Sequence, residues 1–292
     1  MNLIVETDIG HDPDDFFALC YLVSAGVDIR GIMVTPGDPD QIAIAKFFCK
    51  EVGLDIPVGA SHADRTKLSS GSVHHELLKK YGRSFTEAPD GLGVDLLSGL
   101  FDSCPDMEAF VIGPVTSLGK YLAQHPDALR RATMQGGFCG YDLHQFPAQR
   151  LPQFEGKTWV PTFNMNGDRS GAQSFLNANI EDRRFVGKNV CHTVLYNKER
   201  FAKMSKPKDR ASELFIEGMG MYLEKHEEKK FHDPTAAVCH LHPDIGYWMS
   251  GEVRKMESGW GTTISVRSDR PGDFVLAHID YNALWEHIQN WG

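Results

Sequence analysis

The first half of the chain alternates between short apolar runs and longer segments with helical character. NLIVET (2–7) and IRGIMV (29–34) are typical of buried strands. DDFFALCYLVSAG (14–26) and PDQIAIAKFFCKEVG (39–53) are typical of helices, and each stops at a glycine. Alternation of strands with helices predicts a mainly parallel sheet that helices cover on both faces. We therefore expect an open α/β fold.

The same alternation returns later in the chain. EAFVIGPVTSLGKYLAQHP (108–126) repeats strand, turn and helix, and RATMQGG (131–137) resembles another strand end. In parallel sheets, ligands bind outside the carboxyl ends of the strands. Five polar turns follow predicted strands, and we expect them to converge on one crevice: the aspartate turn after residue 7, TPGDPD, GPVTS, QGGF and FNMNGD.

Nothing in the sequence suggests a division of the chain. Its 292 residues contain no internal repeat, no low-complexity stretch and no linker, so we predict one domain over residues 1–292. Residues 61–91 and 140–161 are long and irregular. Such segments in compact domains are usually lids or binding loops.

Charge and cysteine usage limit the possible partners and the compartment. The formal net charge of −9 weighs against nucleic acid and anionic membranes and favours a small ligand. The six cysteines are single, with no CxxC, which indicates reduced thiols in the cytosol. The first residues lack the features of a signal peptide, and no stretch approaches the ~20 apolar residues of a spanning helix. We expect a cytoplasmic protein.

Four aspartates lie in one turn, VETDIGHDPDDFFAL (5–19). Asp8 follows the first strand, Asp12 lies within the turn, and Asp14 and Asp15 begin the first helix. Carboxylates so close repel each other unless a cation, a proton or a helix end compensates. An N-cap accounts for one aspartate but not for four. Hard divalent ions, calcium above all, bind sets of carboxylate oxygens, so the turn predicts a metal site.

Three further pieces supply polar groups, each with a plainer alternative. His232 and Asp233 precede a proline, which fits the first turn of a helix but also a routine cap. Thr116 lies in a tight turn whose carbonyl can reach a metal. Asn164 and Asn166 can hydrogen-bond sugar hydroxyls, although Asn-Gly is also an ordinary turn signal.

Taken together and in order, five motifs resemble the inosine–uridine nucleoside hydrolases: ETDIGHDPDD, GPVTSLG, QGGF, TFNMNGD and HDPTAAV. The resemblance runs from Val5 to about Val238. It implies an open α/β sheet with a Rossmann-like core. It also implies a calcium ion deep in the crevice, and a water on that ion that attacks the anomeric carbon of a ribonucleoside.

The resemblance also implies a set of metal ligands. Asp8 matches the aspartate that binds calcium and takes the proton from the water. Asp15 and Asp233 match the other calcium carboxylates. Thr116 matches the residue that supplies a backbone carbonyl.

On the substrate side, Asp14 matches the aspartate that holds the ribose hydroxyls and helps to orient the water. Asn164 matches a ribose-binding asparagine, and His232 matches the histidine that protonates the departing base in part of the family. Members commonly form homo-oligomers, so the resemblance implies a dimer or a tetramer.

Several positions depart from the family pattern. Two extra residues lengthen the aspartate turn, which leaves the register of Asp12 against the following pair open; His11 either reaches the site or caps the loop. Asp38 stands where many members have asparagine, and Thr162 replaces a glutamate that contacts ribose. Gln135 occupies a position often held by methionine near the ribose 5′ end. These changes suggest a shifted sugar contact or an unusual riboside.

Three functions remain in order of preference. The first is calcium-dependent hydrolysis of the N-glycosidic bond of a riboside, in which clustered anions stabilise an oxocarbenium-like state. The second is a binding protein for ribose-containing metabolites without turnover. The third is a phosphohydrolase with an aspartyl nucleophile, which ranks last because that chemistry requires aspartate where Glu6 stands.

A few side chains have uncertain roles. Phe138, Trp159 and Trp260 can stack on a base, but isolated aromatics more often belong to the core or the rim. His74 and His75 lie in the first irregular segment, where we expect a surface position.

Overall fold

The computed structural model describes residues 1–10, 12–141, 150–263 and 273–291. Within these ranges the strands are β1 (Asn2–Thr7), β2 (Asp28–Val34), β3 (Val58–Ala60), β4 (Gly91–Leu92), β5 (Met107–Val111), β6 (Arg131–Gln135), β7 (Trp159–Val160), β8 (Asp182–Val186), β9 (Leu195–Asn197), β10 (Glu228–Lys230), β11 (Gly246–Ser250), β12 (Glu252–Met256), β13 (Gly259–Thr263) and β14 (Asp273–Ile279). The α-helices are α1 (Asp14–Ser24), α2 (Pro39–Val52), α3 (Ser72–Lys80), α4 (Gly93–Ser103), α5 (Ser117–Leu122), α6 (Phe163–Asn166), α7 (Arg169–Asn177), α8 (Lys188–Cys191), α9 (Lys198–Ala202), α10 (Arg210–Lys225), α11 (Asp233–Leu241) and α12 (Tyr281–Asn290).

A nine-stranded sheet organises the chain, in the order β11-β14-β8-β6-β5-β1-β2-β3-β4. Its neighbouring strands are parallel except for β11, which pairs antiparallel with β14. The first strand is central, and the chain builds outward from it in both directions. Strand order therefore reverses beside β1, and crevices in open α/β sheets form at such a switch point.

Helices cover both faces of this sheet, as predicted. Successive side chains of β1 point to opposite faces, and both faces are apolar: Leu3 and Val5 belong to one buried cluster, and Ile4 belongs to the other. The first cluster includes side chains of α1, α2, α3, α10, α11 and α12, and the second includes side chains of α4, α5 and α7. This double coverage explains why NLIV is apolar without alternation.

The predicted element bounds of the first half are confirmed closely. Strand β1 spans NLIVET, and α1 begins at Asp14, the first of the paired aspartates. Helix α2 begins after Asp38 and ends at Gly53, whose φ of 75° is the left-handed conformation that glycine favours.

Two segments expected to be irregular are more ordered than predicted. Residues 61–91 contain α3 (Ser72–Lys80), which packs against α10. Of residues 140–161, the part from 142 to 149 lies outside the described residues. The remainder contains a short 3-10 helix and β7, which pairs with β13 in a small antiparallel sheet. This pairing joins positions a hundred residues apart, so local sequence gave no sign of it.

Among the described residues, no helix combines the length and the apolar character that crossing a membrane requires.

Candidate active site

The aspartate turn follows β1 at the centre of the sheet. Gly10 has a φ of 104°, and a Cβ there would lie 2.3 Å from the Ser70 hydroxyl, so the turn requires glycine at this position. The turn is tied to the next helix, since the Thr7 hydroxyl and the Asp8 main-chain N–H both donate to Asp15 Oδ1, the latter at 3.2 Å. Asp14 and Asp15 are both only 2% exposed.

The start of α11, more than two hundred residues after the aspartate turn, contributes the third carboxylate of the site. His232 is the N-cap residue and Asp233 is the first helical residue. Helix α11 packs against α1, and the Asp233 main-chain N–H donates to Asp14 Oδ2 at 3.5 Å. Each of Asp14, Asp15 and Asp233 offers a carboxylate oxygen, and these oxygens lie within 4.8 Å of one another. We call these three residues the carboxylate triad.

Burial and mutual repulsion dominate the electrostatics of the triad. Burial, followed by neighbouring carboxylates, raises the pKa of Asp15 and of Asp233 well above the ordinary value. Asp14 differs: burial opposes ionisation, but Lys229 and His232 hold its pKa below the usual range. Nζ of Lys229 lies 3.4 Å from Asp14 Oδ1, and Nδ1 of His232 lies 3.5 Å from Asp14 Oδ2.

The triad can hold a metal ion. Three buried carboxylates converge, and the raised pKa values of two of them, Asp15 and Asp233, mark a deficit of nearby positive charge. A hard divalent cation with oxygen ligands would remove that deficit. The donor set therefore fits such an ion.

Asp8 lies beside the triad rather than within it. Burial raises the pKa of Asp8 to about 8, and the charges of Asp14 and Asp12 add to the effect. Its carbonyl oxygen accepts a hydrogen bond from Gln41 Nε2 at 3.1 Å. Asp8 also lines a cavity of about 210 Å³ together with Asp38, Arg65, Lys67 and Phe163.

Asp38 is buried at the N-cap of α2, and its charge is compensated. Arg65 Nε lies 2.7 Å from its Oδ1. Burial raises the pKa of Asp38, but the hydrogen bond and charge of Arg65 outweigh burial and lower it. Asp38 carries a negative charge at the position where many members of the resembling family have a neutral asparagine. The structure supplies a cation for it from the segment between β3 and α3.

Asn164 and Gln135 are joined by hydrogen bonds. Asn164 Nδ2 donates to the Ile112 carbonyl at 2.9 Å, to the Gln135 carbonyl at 3.0 Å and to Gln135 Oε1 at 2.9 Å. Within the described ranges, Asn164 Oδ1 accepts no hydrogen bond. Thr162 is the N-cap of α6, and its hydroxyl is buried without a partner among those same residues.

Thr116 lies at the start of α5, as the motif predicted. Its carbonyl accepts the Lys120 N–H at 3.1 Å, which leaves one lone pair for another partner.

Glu6 serves α5 rather than the crevice. Its carboxylate accepts the main-chain N–H groups of Ser117 at 2.6 Å and Leu118 at 2.9 Å, which are among the open donors of the helix. Burial raises its pKa to about 7, although these bonds partly oppose the rise. The carboxylate is thus occupied as a helix cap, which removes the basis of the phosphohydrolase hypothesis.

Glu6→Gln is expected to lower the free energy of unfolding by about 1–3 kcal/mol, because the amide presents a donor where both oxygens now accept N–H groups. Denaturant unfolding measures this loss. Glu257→Gln, at an exposed position, is the matched control and should change stability little. Equal midpoints for the two variants would contradict the capping role.

The histidines are placed differently from expectation. His74 is fully buried, so the predicted surface position is wrong; its Nδ1 lies 3.1 Å from the Gly71 carbonyl oxygen. His75 is partly exposed beside Asp40. His192, which sequence analysis missed, lies with its ring centroid 5.3 Å from that of His232. His11 is outside the described residues.

The aromatic candidates fall mostly in the core. Phe138 and Trp260 are 0% and 1% exposed, whereas Phe163, which sequence analysis passed over, is 63% exposed and lines the cavity beside Asp8. Lys229 and Arg65 were also missed. The one local signal was position, since Lys229 stands three residues before His232.

Comparison with known proteins agrees with this geometry. The family model for inosine-uridine preferring nucleoside hydrolases matches residues 3–286. An uncharacterised protein of Aquifex aeolicus (strain VF5) is 25% identical over 258 residues, which cover 85% of this chain and 84% of the relative.

Solved structures share the fold. The plant nucleoside hydrolase PpNRh1 superposes with a TM-score of 0.74 at 17% identity, covering 99% of this chain and 97% of that one. An inosine-guanosine nucleoside hydrolase gives 0.71 at 15% identity, with 99% and 98% covered. The inosine-uridine preferring nucleoside hydrolase of Bacillus anthracis gives 0.68 at 15% identity, with 98% and 97% covered.

An open parallel sheet with buried carboxylates at its switch point, together with these matches, defines an N-ribosyl hydrolase. The chain belongs to the inosine-uridine preferring nucleoside hydrolase family.

Proposed function

We propose that the protein hydrolyses the N-glycosidic bond of a ribonucleoside or related riboside, in a calcium-dependent reaction that gives free base and ribose. The observation that carries the proposal is the carboxylate triad, because residues 218 positions apart place carboxylate oxygens within 4.8 Å of each other. Such a concentration of buried negative charge costs stability unless it serves an ion or a cationic transition state.

Asp15, Asp233 and Asp8 are the proposed calcium ligands, and the Thr116 carbonyl is the proposed main-chain ligand. Several carboxylates and a carbonyl suit calcium better than softer metals. When bound, the ion would lower the pKa of a water molecule. Asp8 borders both the triad and the cavity, so it is the carboxylate placed to accept the proton of that water.

Asp14 is the proposed anchor of the ribose hydroxyls. Lys229 and His232 keep it ionised, so it accepts hydrogen bonds from hydroxyl groups and faces the sugar as charge develops there. His232 is the proposed acid for the departing base. Its Nδ1 faces Asp14, whereas its Nε2 is buried without a partner among the described residues, so Nε2 is the nitrogen that can donate.

The remaining substrate contacts are proposed at Asp38, Gln135, Thr162 and Asn164. The Thr162 hydroxyl, which is buried without a partner among the described residues, supports this assignment, since buried polar atoms without partners indicate a missing ligand. Asn164 uses its Nδ2 group within the protein, which leaves Oδ1 as the atom for a sugar hydroxyl. Because Arg65 engages Asp38, the sugar contact at this position differs from that of an asparagine, which supports a riboside other than a common one.

Incubation of the calcium-loaded protein with a panel of ribonucleosides and their 2′-deoxy counterparts tests the function. Chromatography should show free base from at least one riboside and much less from its deoxy analogue, because hydroxyl-binding groups left unpaired discriminate strongly. If no base appears but a ligand raises Tm, the protein binds ribosides without turnover and the hydrolase proposal is wrong.

Asn164→Ala is expected to raise KM for the riboside about tenfold, because the variant loses an acceptor for a sugar hydroxyl. Steady-state kinetics measure the change. Asn177→Ala, on the exposed face of α7, provides the control. An unchanged KM with a lowered Tm would mean that Asn164 only joins Ile112 to Gln135.

Three broader proposals accompany this function. One domain over residues 1–292 is supported by a sheet that takes strands from both ends of the chain. A cytoplasmic location is supported by six free cysteines. A homo-oligomer, dimer or tetramer, rests on the family resemblance and is tested by analytical ultracentrifugation.

A further inference from the structure

A buried lysine lies against the aspartate turn. Lys229 is in β10 and only 4% exposed. Its Nζ lies 2.8 Å from Asp12 Oδ1 and 3.4 Å from Asp14 Oδ1, and it donates to the Lys230 carbonyl at 2.9 Å. Lysine is rarely buried without partners of opposite charge, and this one bridges two carboxylates of a turn more than two hundred residues away.

These contacts use all the hydrogen-bond donors of the Lys229 ammonium group, so none remains for a substrate. It has three N–H donors and three acceptors within reach. Its pKa is raised, since the charges of Asp14 and Asp12 outweigh burial, so it stays a cation. A group so placed acts through the carboxylates that it holds.

Asp14 is fixed through both oxygens by one short segment. Lys229 lies near Oδ1, while His232 Nδ1 and the Asp233 N–H lie near Oδ2. Asp12 joins the arrangement from the other side, because its Oδ1 accepts the Asp14 main-chain N–H at 3.4 Å. Without the lysine, Asp12 and Asp14 would repel each other and Asp12, half exposed, would turn toward solvent.

We propose that Lys229 is a positioning residue that binds Asp12 and Asp14 to β10 and so holds the Asp14 carboxylate in place for the ribose hydroxyls. The assignment of Asp14 to ribose rests on the proposed function. The arrangement also explains the lengthened aspartate turn, since the additional carboxylate of Asp12 is the shorter contact of Lys229. The aspartate turn, two residues longer than the family pattern, is thus held by the buried ammonium group of Lys229.

Kinetics of Lys229→Met test the positioning role. The methionine keeps the volume of the buried stem but removes the charge. KM for the riboside should rise about tenfold with a smaller change in kcat, because the chemical groups remain while the sugar anchor moves. Lys229→Arg should recover part of the loss. The control is Lys230→Met, because the Lys230 side chain is exposed. This variant should have the KM and kcat of the wild type.

A double-mutant cycle with Asp12→Asn tests the contact itself without requiring activity. In chelator, Lys229→Met should lower Tm, and Asp12→Asn in the same chain should restore part of the loss, because the repulsion is removed together with the cation. Additive changes in Tm, or a KM within twofold of the wild type for Lys229→Met, would overturn the proposal. If no riboside is hydrolysed by the wild type, the cycle still decides whether Lys229 holds the turn.

Discussion

Asp8→Asn should lower kcat for base release by about 10³-fold, which is the largest effect that we expect from one substitution. Asparagine keeps the size of the side chain but cannot accept a proton, and general-base catalysis contributes about 10²–10⁴-fold. The loss should appear in kcat more than in KM, because Asp8 acts on the attacking water rather than on the sugar. Single-turnover release of base, followed by chromatography, measures it.

The matched control is Asp55→Asn, the same change at an exposed position, which should leave kcat within error. Calcium affinity of Asp8→Asn, measured by calorimetry, separates a lost base from a lost ligand. If the variant binds calcium as the wild type does and still turns over normally, then Asp8 is not the base. A normal rate would move that role to another carboxylate of the site.

Removal of divalent ions is the second large expected effect. Chelation should abolish base release and lower Tm by about 5 °C relative to protein in saturating calcium, since a ligand at one hundred times its Kd contributes about 2.7 kcal/mol. Calcium should restore both quantities. Differential scanning fluorimetry and activity, read on the same samples, measure them together. Full activity in chelator, with metal analysis showing no bound ion, would contradict the calcium proposal.

The size of the calcium effect should depend on pH. Burial and carboxylate repulsion raise the pKa of Asp8 to about 8 and raise those of Asp15 and Asp233 above the ordinary value. A carboxyl group whose pKa rises on folding binds its proton more tightly when folded. Its stabilising contribution is therefore present below the unfolded pKa of about 4 and is lost as pH rises through the folded value.

The chelated protein should accordingly lose stability between about pH 4 and pH 8, whereas the calcium-loaded protein should lose less, because the ion offsets the repulsion. Asp14 has a lowered pKa, so its contribution to stability is lost as pH falls rather than as pH rises. Lys229, which lowers that pKa, is present with and without calcium. The difference between the two stability curves therefore reports the ion. Tm measured at several pH values, with and without calcium, gives this difference. Parallel curves would mean that no ion binds at these carboxylates.

Local sequence was sufficient for the elements that carry the site. Apolar runs and glycine stops predicted β1, α1 and α2 because these segments are buried on the sheet. The ends of α2 are also set locally, by the capping box of Asp38 and Gln41 and by Gly53. The motif around His232 likewise predicted the start of α11. Local pattern did not reveal β7 with β13 or the helix α3, whose pairing and packing partners are distant in sequence.

The sequence by itself determined the α/β class and the residue types of the site, since periodicity and strand-end motifs are local properties. Only the tertiary structure decided which charges meet. Arg65 follows β3 and pairs with Asp38, which follows the neighbouring strand β2. Lys229 reaches Asp12 and Asp14 from β10, a strand of a separate two-stranded sheet. Electrostatic energy depends on distance in space, and a linear pattern of residues does not contain that distance.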